Sequence, residues 1–200
     1  MTAQPRILRL NLAGQPLEWL GWEQAACLYV RELVTWELGG IVRRVQGGTN
    51  RLTGKRSQLQ LASIIACGGA RIAEPRRRPP LTNAALFLRD GRYCLYCGNR
   101  FSAAALTRDH VHPISRGGRD IWENVVSACR RCNQFKGNAL LQELDMELLA
   151  LPFCPNAAEY LALVNGDRIR GDQMAFLRSQ FNKRREARWS RFGPDSVCIL

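Results

Sequence analysis

LTRDHVHPISRGGRDIWENVVSACRRCNQFKGN, residues 106–138, holds both histidines of a 200-residue chain and one of its two C-x-x-C pairs. Leu106 to Pro113 reads as a strand that stops at the proline, which has no N–H to give to a ladder. ISRGGRDIWE reads as a loop, NVVSAC as a returning strand and CNQFKGN as the start of a helix. The other C-x-x-C pair lies upstream, in YCLYCG at 93–98. Two strands and a helix are thus bracketed by cysteine pairs.

Zinc takes four soft or borderline ligands in a tetrahedron, and one C-x-x-C turn can fill two corners while a distant pair fills the others. Cys94, Cys97, Cys129 and Cys132 make that set, and Gly98 permits the tight backbone of a knuckle. A four-cysteine site has no open position for substrate water, so its expected role is structural. The chain has 8 cysteines and no secretion signal, which favours metal over disulfides. A redox dithiol is the weaker reading of the paired turns. Cys27, Cys67, Cys154 and Cys198 are scattered and read as buried small hydrophobes or inert thiols.

The residues between the pairs suit metal-assisted phosphodiester cleavage, which needs an oxygen-ligated cation and a base to activate water. Asp109 and Asn133 offer hard oxygen donors, and His110 offers an imidazole, the side chain that changes charge near neutrality. Neighbours in a flat strand point to opposite faces, so a twist or bend is expected at the Asp109–His110 junction. His112 shares the face of His110 by period-two alternation, yet an exposed strand-end histidine is the plainer reading. Arg116, Arg119, Arg130, Arg131 and Lys136 are the expected phosphate contacts, with Arg116 in S-R-G-G the first choice. Asp120 and Glu123 are expected to make loop hydrogen bonds or salt bridges.

In this order, C-x-x-C, D-H-V-x-P, S-R-G-G, a loop asparagine and C-x-x-C-N-x-x-K-G-N resemble the HNH endonucleases that have a ββα-metal core and a four-cysteine zinc site. The resemblance covers roughly residues 81–140. It implies His110 as general base, Asn124 as the middle asparagine that braces the loop, and Asn133 at the third motif position, where many relatives carry histidine. It also implies that Asp109 and Asn133 hold one divalent cation, Mg²⁺ or Mn²⁺, and that products carry 5′-phosphate and 3′-hydroxyl ends. The family pattern leaves the position of His112 variable.

A formal net charge of +12 concentrates such a chain near polyanions. DNA is the expected partner, with RNA left open. The 46% apolar content supports a folded core, and no run is long enough to cross a bilayer. The start of the chain, with Arg6 and Arg9, lacks a signal-peptide apolar region. A soluble cytoplasmic protein is expected.

The whole chain reads as α+β. Residues 1–75 form a small α+β domain: a strand in RILRLNLAG, a helix over Trp22–Trp36 with Trp22, Ala26, Tyr29, Leu33 and Trp36 on its core face, and strands in IVRRV and QLASIIA joined by the loop QGGTNRLTGKRSQ. Residues 76–80 form a basic Pro/Arg linker. The nuclease domain spans 81–150 and opens with a helix capped by Thr82. Residues 151–200 form a helical basic extension, in which Phe176, Phe181, Trp189 and Phe192 stand among basic residues. Helical patterning is also read in ALLQELDMELLALP and AEYLALVNG. The N-terminal domain is expected to position substrate or supply a homodimer surface. Two competing readings are a non-catalytic, zinc-stabilised nucleic-acid-binding protein with an HNH-like fold, and a protein-interaction scaffold.

Overall fold

A computed structural model describes residues 6–68 and 78–184, which form two compact units. One combines residues 6–68 with 165–180, and the other combines 78–164 with 181–184. Trp189, Phe192, Cys198 and the first part of the expected linker lie outside the described residues. No described helix is long and apolar enough to cross a membrane.

The first unit is a four-stranded sheet with two helices. Its strands are β1 (Ile7–Leu10), β2 (Pro16–Leu20), β3 (Val34–Thr49) and β4 (Arg56–Cys67), in the order β2-β1-β4-β3. β1 pairs antiparallel with β2 and parallel with β4, while β3 and β4 form an antiparallel hairpin. α1 (Trp22–Val30) lays Trp22, Ala26 and Tyr29 against a core of Ile7, Leu20, Leu61 and Ile65.

The helix expected over Trp22–Trp36 stops at Val30. Glu32 takes a left-handed φ of 57°, and beyond it Val34 and Trp36 of β3 pair with Cys67 and Ala66 of β4. β-Branched Val34 and Thr35 favour a pleated strand, and Trp36 fits alternation as well as helical spacing. Gly39-Gly40, expected after the helix, form a bulge inside β3. Gly39 has φ 81°, and a Cβ there would stand 2.1 Å from Ser63 Oγ and 2.7 Å from Asp172 Oδ2. The absence of side chains lets the last helix of the unit dock.

That helix is α5 (Gly171–Ser179). Asp172 Oδ2 accepts from Gly40 N at 2.9 Å and from the Ser63 hydroxyl at 2.7 Å. Buried Gln173 donates to Arg6 O and Ser63 O, both at 2.8 Å. Burial disfavours ionisation of Asp172, but the Gly40 N–H and Ser63 hydroxyl outweigh it and hold the carboxyl at about 2. A depressed acid stabilises the fold fully above the unfolded value of about 4, and this contribution is lost as pH falls towards 2. Asp172→Asn is therefore expected to lower the stability of this unit by about 1–3 kcal/mol at pH 7. The gap from the parent should begin to narrow below about pH 4 and close as pH falls through about 2. Hydrogen exchange of β4 amides against pH measures it; a gap as large at pH 2 as at pH 7 would refute the assignment.

The second unit is built on a smaller framework. α2 (Asn83–Arg89) begins at Thr82, whose Oγ1 accepts from Ala85 N at 3.2 Å. β5 (Leu106–His110) and β6 (Val125–Cys129) form an antiparallel pair, and α3 (Arg130–Lys136) follows directly, giving a ββα arrangement. α4 (Ala157–Asn165) completes the unit. Ala85, Leu86, Phe87, Leu106, Trp122 and Val125 form its main core.

Arg89 is fully buried at the centre and makes a fork with Asp90, Nε to Oδ1 at 2.8 Å. Its other nitrogens donate to Trp122 O, Val125 O and Phe153 O at 2.8, 2.8 and 2.9 Å. Asp90 Oδ2 in turn accepts from Ser127 N at 2.7 Å. A buried ion pair persists only when its remaining donors are satisfied, and here they tie α2, β6 and the segment near residue 153 together.

The helix expected in ALLQELDMELLALP is reduced to a 3₁₀ turn at Leu141–Glu143. Leu144 N and Met146 N both donate to Leu141 O, Asp145 is left-handed at φ 51°, and Leu149 N donates to Leu95 O at 3.0 Å. Leu149 and Leu151 remain 52% and 73% exposed, so the apolar spacing has no buried face to serve.

Candidate active site and metal centre

The two C-x-x-C turns converge. Sγ atoms of Cys94, Cys97, Cys129 and Cys132 all lie within 4.8 Å of one another. Around zinc, bonds of about 2.3 Å would set sulfurs roughly 3.8 Å apart, so the donor set fits. The first turn is a knuckle in which Cys94 N donates to Asn99 O and Gly98 N to Cys94 O, both at 2.9 Å. In the second, Cys129 caps α3 and its Sγ accepts from Cys132 N at 3.5 Å. Burial works against the Cys94 thiolate, but main-chain N–H groups of Cys129, Cys97 and Tyr96 outweigh it and lower its pKa. Burial, then the neighbouring sulfurs, pushes Cys132 up, while burial leads the rise at Cys97. Four sulfurs this close could hold a metal ion such as zinc, whose charge would favour their thiolate forms.

β5 presents two faces. Thr107 and Asp109 turn towards α3, where Asn133 Nδ2 donates to Thr107 Oγ1 at 2.8 Å. Thr107 Oγ1 donates onward to Ala128 O at 2.9 Å, so this chain orients the Asn133 amide and leaves its Oδ1 as an acceptor. Asp109 is buried and accepts from the Tyr96 hydroxyl. Lys136 Nζ stands 3.3 and 3.2 Å from its two oxygens and donates to His110 O at 2.8 Å. Lys136, expected at a phosphate, is instead fully buried because the Asp109 carboxylate and a strand carbonyl draw its ammonium inward.

Arg108 and His110 occupy the other face and share one carboxylate. Arg108 Nη1 donates to Asp120 Oδ1 and Oδ2 at 2.9 and 2.7 Å, and His110 Nε2 bonds Asp120 Oδ1 at 2.9 Å. Partial burial would raise Asp120, but bonds from His110 and Arg108 hold its carboxyl below the usual range. An ionised carboxylate only accepts, so Nε2 carries a proton, and in the neutral ring Nδ1 is then the lone-pair nitrogen. The bend expected at the Asp109–His110 junction is absent: the ladder runs without shift from Leu106↔Cys129 to His110↔Val125. Five residues paired in regular register keep strict alternation.

Asn124 closes the loop after β5. Its Oδ1 accepts from His112 N at 2.8 Å, and its Nδ2 donates to His112 O and Arg119 O at 3.0 and 2.8 Å. His112 Nε2 donates to Arg116 O at 2.8 Å, a bond that ties down the turn. Gly118 closes it: a Cβ there would meet His112 O at 1.9 Å. Arg116 reaches Glu143 at 2.6 Å across the surface. Arg119, Arg130 and Arg131 are exposed, and Arg78 pairs with Glu123 at 3.1 Å.

Sequence reasoning missed Tyr96, Lys136 and Arg108 as partners of the motif residues. Tyr96 sits inside Y-C-L-Y-C-G, where the cysteines explain the pattern without it. Asp120 was expected to make salt bridges, but only the fold shows that His110 is one partner.

Residues 94–149 match the family model of HNH endonucleases. That span includes all four clustered cysteines together with Asp109, His110, Asn124 and Asn133. A stretch of 46 residues, 22% of the chain, is 41% identical to a CRISPR-associated endonuclease Cas9 of Corynebacterium diphtheriae. The match spans 4% of that relative. Among solved structures, the Type II-C Cas9 enzyme from Actinomyces naeslundii aligns with 50% of this chain and 12% of its own, at 20% identity and a TM-score of 0.28.

Proposed function

We propose that the HNH segment at residues 94–149 makes this chain a metal-dependent DNA endonuclease. The observation that carries the reading is the family match over one span that contains the cysteine cluster and every proposed catalytic residue. The net charge of +12 favours a polyanionic substrate. His110 is the general base, using Nδ1 to take a proton from water while Asp120 holds Nε2–H. Asn124 keeps the following loop in place. Asp109 and Asn133 lie towards one face with hard oxygens, a set that suits a largely hydrated Mg²⁺ or Mn²⁺ completed by phosphate. When bound, such a cation stabilises the charge that develops on the phosphate and leaving oxygen. The cysteine cluster holds structural zinc. Cleavage leaves 5′-phosphate and 3′-hydroxyl ends.

The experiment is incubation of supercoiled plasmid with the purified chain and Mg²⁺ or Mn²⁺. Expected products are nicked or linear forms whose ends DNA ligase reseals, which requires 5′-phosphate and 3′-hydroxyl groups. Products that resist ligation would overturn the end chemistry.

One observation favours a second reading, a binding protein without turnover. Lys136 already neutralises Asp109, and His110 faces away from it across a regular strand. Salt-sensitive DNA binding with no cleavage under either cation would select this reading.

A further inference from the structure

We propose that the exposed end of the β3–β4 hairpin is a second, non-catalytic DNA contact, a two-stranded ribbon that enters the major groove of duplex DNA. The inference rests on the DNA reading of the chain but on none of the nuclease residues.

The stretch QGGTNRLTGKRSQ, residues 46–58, was expected to be a loop, yet the hairpin ladder continues into it. Gln46 pairs with Gln58 and Thr49 with Arg56, and Asn50 N donates to Lys55 O at 2.8 Å across the turn. Asn50 Oδ1 accepts from Leu52 N and Thr53 N at 2.9 and 3.0 Å. Arg56 Nε donates to Gly47 O at 3.1 Å, and Ser57 Oγ to Gly48 O at 3.2 Å. These bonds give the ribbon a definite shape, although every residue from 46 to 58 is exposed.

An ordered ribbon that buries nothing gains little from the hydrophobic effect against the entropy of ordering its backbone, and isolated hairpins are marginal in water. A binding role supplies the missing stabilisation. The chemistry of the ribbon selects the partner. No acidic residue occurs between Glu37 and Glu74, while Arg43, Arg44, Arg51, Lys55 and Arg56 do. Arg43 is held over the Trp22 ring at 4.1 Å and anchors the base of the hairpin. Among the described residues, Arg44, Arg51, Lys55 and Arg56 form no ion pair.

A protein interface would favour aromatic and other apolar anchors, but apart from glycine this stretch has one apolar residue, Leu52. A shallow concavity between the strands is lined by Gly48 and by the polar side chains of Thr49, Asn50, Thr53, Lys55, Arg56 and Ser57. Glycines 48 and 54 have nothing within 4 Å of a notional Cβ, so the ribbon is sterically open at both positions. The B-form major groove, about 12 Å wide and 8.5 Å deep, admits a two-stranded ribbon. Residues 46–58 folded in half extend roughly 15–20 Å, enough to reach its floor. The deep, narrow major groove of A-form RNA does not admit such an element.

The test is fluorescence anisotropy of a labelled DNA duplex with the full chain, without added Mg²⁺ or Mn²⁺, over a range of KCl concentrations. The variant Arg44→Ala/Arg51→Ala/Lys55→Ala/Arg56→Ala is expected to bind at least about tenfold more weakly, with the slope of log affinity against log salt reduced by about 3. Arg51→Glu, a single change at the exposed turn, should also weaken binding, and Arg51→Lys should restore it. The single pair decides the question if the fourfold variant does not fold. Unchanged affinity and slope in the variants would overturn the proposal, as would a parent chain that binds no DNA or prefers an RNA duplex of equal length. No cleavage is read, so a catalytically inert chain that loses affinity in these variants refutes the nuclease reading alone. A chain that cuts plasmid yet keeps its affinity in the variants refutes the ribbon alone.

Discussion

Removal of the cation from Cys94, Cys97, Cys129 and Cys132 with a strong zinc chelator is expected to unfold the ββα region while the four-stranded sheet unit survives. The local apolar cluster around the sulfurs has only Cys94, Ala128 and Cys129 fully inside, too little to hold two turns together. The first knuckle is joined to β6 by Leu95 N donating to Ser127 O at 2.9 Å, and to the later chain by Leu149 N donating to Leu95 O at 3.0 Å. α3 starts from Cys129 itself. Metal binding in such modules contributes on the order of 10 kcal/mol, comparable with the entire stability of a small domain. Hydrogen exchange by mass spectrometry should show protection lost across β5, β6 and α3 and retained in β1 and β4. Metal analysis of the purified chain should give one zinc per chain. A chain that contains no metal and keeps full protection in β5 and β6 would sink this account.

His110→Ala is expected to lower the rate of plasmid cleavage by about 10²–10⁴, the range for removal of a positioned general base. The loss should fall on turnover, with DNA affinity nearly unchanged, because the basic residues proposed to meet phosphate lie elsewhere. Stability should also hold, since the His110 side chain is 25% exposed and at the strand end. Asp120→Asn keeps an oxygen that can accept from Nε2–H and should retain more activity than Asp120→Ala, which frees the ring to rotate. Cleavage at the parental rate by His110→Ala would remove His110 from the role.

The regular elements around the site were legible because local chemistry announces them. Thr82 caps a helix and the two C-x-x-C turns converge on one centre, whereas the strand expected as far as Pro113 already stops at His110. Trp22–Trp36 was misread because Val34 and Trp36 satisfy both helical and alternating patterns, and pairing with β4 decides between them. The loop expected over residues 46–58 is confined to 50–55: glycine and polar residues signal a turn, but the ladder runs on as far as Thr49↔Arg56 before the chain reverses.

The sequence by itself determined the order of β5, β6 and α3 and the cysteine set, since each depends on spacing within one short segment. Only the tertiary structure decided which partners the motif residues meet. It sets Lys136 and Tyr96 on Asp109, Asp120 and Arg108 beside His110, and Arg89 at the centre of a buried network. The reason is physical: a buried charge is stable only where several distant backbone and side-chain groups converge on it, and that convergence has no signature in residue spacing. The same holds for the two faces of β5, where a regular ladder places Asp109 and His110 on opposite sides although they are adjacent in the chain.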